Sequence, residues 1–173
     1  MKKDNWILKA FLMTFFIALI FSSASNYLIS KFSNTILLIV LCATFIGIGI
    51  LFDIVGTAVL TANEASFHAK SAKKIKGSKE GVYLIKNSST IASICNDVIG
   101  DICGIVSGSL GAMLAINIST KFNFSTVIVT LLVSSIISSL TVGGKAIGKK
   151  QAIKNSDAII FIAAKVLSKF KTK

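Results

Sequence analysis

Four polar side chains stand where the sequence is otherwise apolar: Asp53, Asn96, Asp97 and Asp101. Carboxylate and amide oxygens are hard ligands, and a cluster of them suits a hard cation such as Mg²⁺. Asp97 and Asp101 are four residues apart, so a helix places them on one face, about 6 Å apart along its axis. Ionisable groups inside a membrane are costly and mark ion or proton pathways. Asp53 falls about eight residues, or roughly 12 Å, from the inner end of its apolar segment, and Asp97 about seven residues from the inner end of its own. The expectation is that the acids and Asn96 meet at one depth, in the inner half of a bilayer. The competing expectation is internal salt bridging, or protonated carboxyls hydrogen-bonded between helices.

The elements that carry these groups are apolar runs. The chain has 173 residues, 53% of them hydrophobic, with a mean hydropathy of +0.79. Several runs reach the roughly 20 residues that cross a bilayer. Four spans are expected: Trp6–Ile29, Thr35 to about Leu60, about Thr90 to Ile118, and Ser125 to about Ile147. The first reads as a retained helix rather than a signal peptide, because its apolar region is long and no cleavage site ends it. In the third, Gly100, Gly104 and Gly108 recur every four residues, a stripe that lets another helix approach closely. In the fourth, Ser134, Ser135, Ser138 and Ser139 give a small polar face. Residues 1–34 form an extra N-terminal helix, and 35–173 the main domain. That domain includes a cytoplasmic loop at 62–89 and a C-terminal amphipathic helix at 150–173, with Ile159, Ile162, Ala163, Val166 and Phe170 on one face.

Charge sets the expected topology. The net charge is +12 and all 19 basic residues are Lys. The two short loops hold one Lys each, Lys31 and Lys121, while the termini and the middle loop hold nearly all the rest. The positive-inside rule then puts both termini in the cytoplasm of a multi-pass cell-membrane protein. Lys beside apolar runs reads as contact with anionic lipid, not nucleic acid. The all-Lys, Pro-free composition points to an AT-rich bacterial genome.

Other chemistry is sparse. Cys42, Cys95 and Cys103 make no CxxC pair and read as packing residues. His68 reads as interfacial, and Glu64 as a partner for a loop Lys. No nucleophile–base pair, phosphate loop or nucleotide fingerprint occurs, so enzymatic chemistry is not expected.

Three stretches resemble a known family. They are "FDIVGTAVLTANEAS" (Phe52–Ser66), Cys95-Asn96, and "GKAIGKKQAIKNSDAI" from Gly144. From about Thr35 to Leu167 the chain resembles the transmembrane domain of the CorB/CorC and cyclin M magnesium transporters. The resemblance implies three helices with a juxtamembrane helical belt, a homodimer, and a cation pocket between helices. Its pocket Ser corresponds to Asp53, its Asn to Asn96, its Glu to Lys145 and its Pro to Gly148. Lys149, Ala152, Asn155 and Asp157 match the family's following helix start. The family's nucleotide-binding cytoplasmic domains have no counterpart here, so no nucleotide partner is expected. An acid for Ser and a Lys for Glu look compensatory: Lys145 would reach Asp53 and replace the bound cation, unless it snorkels to the surface as a flanking Lys.

The expected protein is thus an all-α membrane protein that handles Mg²⁺ or another divalent cation through Asn96, Asp97, Asp101 and Asp53, with no resident cofactor. The alternative is a non-transporting scaffold or regulatory subunit that kept the fold. A holin-like protein is a third class.

Overall fold

The computed structural model describes residues 2–31 and 35–171, and every regular element in it is helical. The short loop expected at 30–34 falls largely outside the described residues. Helix α1 is Lys2–Lys31, α2 is Thr35–Thr61, α3 is Glu64–Ala72 and α4 is Ser78–Lys86. Helix α5, Ser88–Ser93, runs through a π-helical turn at Ile94–Ile99 into α6, Gly100–Phe122. Helix α7 is Thr126–Lys154 and α8 is Ser156–Lys171.

Three elements are long and apolar enough to cross a membrane: Thr35–Thr61, Ser88–Phe122 and Thr126–Lys154. In the α1 region a shorter apolar stretch, Phe11–Ala24, qualifies only by composition. The chain divides into two units, 1–50 with 98–144, and 51–97 with 145–173. The three long apolar elements each contribute residues to both units.

In the first unit the core is Leu38, Cys42, Val98, Ile102, Val106, Leu110 and Leu114, with Met13, Ile17 and Phe21 of α1 packed against it. Phe21 meets Phe45 edge to face at 5.8 Å between ring centroids. Glycine sets close helix approaches, and of the Gly100/Gly104/Gly108 stripe it is Gly100 that takes part. A Cβ on Gly49 would lie 3.1 Å from the Cys103 Cβ and 3.7 Å from the Gly100 carbonyl. A Cβ on Gly111 would run into Ile137. Gly104 and Gly108 instead face open space. They line a groove of about 230 Å³ with Ser134 and Ser138 across it. Only 6% of the most apolar window of α7 is buried, which leaves its flanks for lipid or another helix.

In the second unit the connection at 62–89 is itself largely helical. Asn63 caps α3 by accepting from the Ala65 N–H at 3.0 Å, and Glu64 occupies the first turn. Phe67 is fully buried at the centre of a core with Ala58, Val59, Ala92, Ala152 and Ile160. Gly81 of α4 lies so close to the Phe67 ring that no Cβ would fit. The end of α2 is tied to the start of α8: the Asn63 N–H donates to Asp157 Oδ1 at 2.8 Å, and Ser156 Oγ donates to the Thr61 carbonyl at 3.3 Å.

Helix α8 packs one face inward and leaves Ile162 and Val166 of the expected apolar face open. Ile160, Ala164 and Ser168 point inward, while Ile162 and Val166 are exposed. The helix is therefore apolar on two sides. Phe170 belonged to the expected face, and its side chain lies outside those described.

The turn from α3 to α4 requires Gly77, which adopts φ +91° with the backbone of Lys165 only 3.2 Å from where a Cβ would sit. Gly77→Ala is expected to lower stability by about 1–2 kcal/mol, since a left-handed conformation costs an L-residue roughly that much before any clash. An unfolding midpoint in detergent that stays at the wild-type value would contradict the packing of this turn on α8.

Candidate functional site

Asp53 sits on the inward face of α2 and is 3% exposed. Gly56 follows one turn later on the same face. The missing Cβ there matters, because the Asn96 carboxamide occupies its space. Asn96 reaches Gly56 from the π-helical turn Ile94–Ile99. An i→i+5 turn inserts one extra residue and rotates the side chains that follow. Around it Ala92, Cys95 and Val98 are buried, and Asp97 is exposed between them.

Among the described residues, two buried side-chain atoms lack any hydrogen-bond partner: Asp53 Oδ2 and Asn96 Oδ1. An ionised carboxylate accepts only, and so does an amide oxygen. A buried acceptor left unpaired carries its full desolvation cost. Two such oxygens, Asp53 Oδ2 on α2 and Asn96 Oδ1 reaching α2 at Gly56, therefore call for a donor or a cation. The charge that is present comes from α7: Lys149 Nζ lies 3.7 Å from Asp53 Oδ2. That is an ion pair beyond hydrogen-bond range. The Lys149 side chain is 51% exposed, so its ammonium reaches inward from solvent and is free to swing back.

The structure sorts the expected site residues. Asp53 and Asn96 are brought to one helix face. Asp97 and Asp101 are exposed and do not join them. Among the described residues no group of three or more His, Cys, Asp or Glu side chains gathers to hold a metal, so the expected cluster of three acids is not formed. The reason is length. Ser88–Phe122 spans 35 residues, about 52 Å, whereas a hydrocarbon core is roughly 30 Å thick. The stretch Cys103–Phe122 already covers that thickness without either acid. Asp97 and Asp101 need not enter hydrocarbon, and nothing forces them to face inward.

Lys145 is half-buried and makes no ion pair among the described residues. The expected contact with Asp53 is made instead by Lys149, one helical turn further on. Residues at i and i+4 share a face, so the sequence pattern admitted either. Glu64 pairs not with a loop Lys but with His68, whose Nε2 is 3.1 Å from Glu64 Oε1. Both side chains are exposed, and the pair reads as a helix-surface contact.

The chain matches no protein-family model, no curated protein and no solved structure.

A double-mutant cycle checks the ion pair. Lys149→Met leaves a buried carboxylate without its cation, and Asp53→Asn removes the need for one. The coupling between them is expected at about 1 kcal/mol, reduced from fully buried pairs because Lys149 is half exposed. Additive effects in thermal unfolding would show that the pair contributes nothing.

Proposed function

We propose that this chain is a multi-pass membrane protein of the divalent-cation transporter type, with Asp53 and Asn96 as its ion-binding groups. The observation that carries the reading is two buried, donor-less oxygens, Asp53 Oδ2 and Asn96 Oδ1, the second lying against Gly56. Mg²⁺ keeps several of its waters and is bound through one or two protein carboxylates, so one carboxylate and one amide oxygen are a sufficient inner set. Lys149 acts as the resident cation. It neutralises Asp53 while the site holds no ion, and it withdraws when one arrives. The resemblance to the CorB/CorC and cyclin M transmembrane domain supports the same two positions.

The reading includes four spans, with α1 as the additional one, and cytoplasmic termini in the cell membrane. Helices α3, α4 and α8 form the juxtamembrane belt. The exposed Ile162 and Val166 give α8 an apolar stripe beside Lys165 and Lys169, as an interfacial helix has. A homodimer would cover part of α7.

The 3.7 Å separation of Lys149 and Asp53 also supports the second reading, a scaffold in which the tethered ammonium has permanently taken the ion's place. Ligand binding separates the two, because a bound ion stabilises the folded state by mass action. Under the first reading MgCl₂ raises the unfolding midpoint of the purified protein by several degrees, and Asn96→Ala and Asp53→Asn abolish the shift. Gly56→Ala, which displaces the Asn96 carboxamide, abolishes it as well. A flat response to Mg²⁺, Mn²⁺ and Ca²⁺ in both wild type and Lys149→Met would establish the scaffold.

A further inference from the structure

The Lys-rich turn between α3 and α4 forms the wall of a cleft of about 500 Å³. Lys74, Lys76 and Lys79 line it, against a single acid, Glu80. All three Lys side chains are exposed, and none makes an ion pair among the described residues. Three ammoniums against one carboxylate leave the cleft lining with a net positive charge, which favours an anion. The wall is also fixed in place. Gly77 packs on the backbone and Cγ of Lys165, and the Lys165 ammonium is held over the Phe161 ring at 4.8 Å from its centroid. Ser168 of α8 completes the lining.

We propose that this cleft binds the phosphate of an anionic phospholipid head group. A cleft of this size has room for one head group. The same helix α8 that closes the cleft exposes Ile162, Val166 and Leu167, an apolar surface suited to acyl chains. Three other elements of the chain are built to cross a membrane, so lipid is within the protein's own reach. Lysines close to a lipid surface each strengthen attachment to anionic lipid, and three focused on one phosphate select it over a zwitterionic head group. This site is separate from the Asp53–Asn96 pair and stands whether or not that pair binds an ion.

The test uses the full chain in a neutral detergent, with short-chain phosphatidylglycerol, short-chain phosphatidylcholine and inorganic phosphate as probes. Phosphatidylglycerol is expected to raise the unfolding midpoint by a few degrees. Phosphatidylcholine and inorganic phosphate at the same concentration should leave it within error. Replacing Lys74, Lys76 and Lys79 together by Ala should weaken the phosphatidylglycerol response roughly tenfold or more in apparent affinity. A charge-matched control lacking Lys86, Lys150 and Lys169 should keep it. Native mass spectrometry of the single variant Lys76→Ala gives a second readout that does not depend on the triple variant folding; fewer bound phosphatidylglycerol molecules than in wild type are expected. An equal loss in the control would assign the effect to diffuse charge and overturn the site. An equal response to inorganic phosphate would assign the cleft to a free anion and overturn the lipid. No response to phosphatidylglycerol would overturn both.

Discussion

A carboxylate that is 3% exposed must have positive charge beside it or be neutral, and Asp53 has Lys149. Much of the second unit follows from bringing that pair together. Helix α7 has to run on to Lys154 so that Lys149 stands on a rigid helix rather than in a loop. Its last turns are anchored through Ala152, which is completely buried in the core built on Phe67 and Ile160. The end of α2 is held by hydrogen bonds to Ser156 and Asp157 at the start of α8. The pair is thus gripped from both of its helices. Asn96 is gripped differently, by a glycine surface that leaves its carboxamide in contact with the backbone of α2.

This arrangement gives the second unit two kinds of cation chemistry. At Asp53 and Asn96 the protein offers oxygens and holds its own ammonium nearby. At Lys74, Lys76 and Lys79 it offers three ammoniums against a single acid, Glu80. Burial explains the difference. Asp53 lies among packed helices, where an unpaired charge is expensive, whereas the three lysines stand in an open cleft, where water makes the cost small until an anion arrives.

The all-helical class and three long apolar spans were legible because runs of more than about 20 apolar residues admit few alternatives. Asp53 and Asn96 were legible as polar groups in apolar surroundings. Their common face at Gly56 was not, because it depends on a π-helical turn at Ile94–Ile99 that no Pro or Gly announces. Asp97 and Asp101 misled for a related reason. Treating the whole segment as hydrocarbon-bound ignores that the helix is far longer than a bilayer is thick. Lys145 and Lys149 are indistinguishable by periodicity, and only packing separates them. The Lys-rich stretch hid α3 and α4 behind its charge, although Asn63 before Glu64 and the glycine at 77 are ordinary helix punctuation. On α8 the inward face through Ile160, Ala164 and Ser168 was not legible, because the helix carries apolar residues around most of its circumference.

The most direct measurement is an experimental structure of the protein with Mn²⁺, whose anomalous scattering identifies the ion. The account requires an anomalous peak within coordination distance of Asp53 Oδ2 and Asn96 Oδ1, with Lys149 Nζ moved away from the carboxylate. Lys149 still seated beside Asp53, with no peak at that place under saturating Mn²⁺, would contradict it.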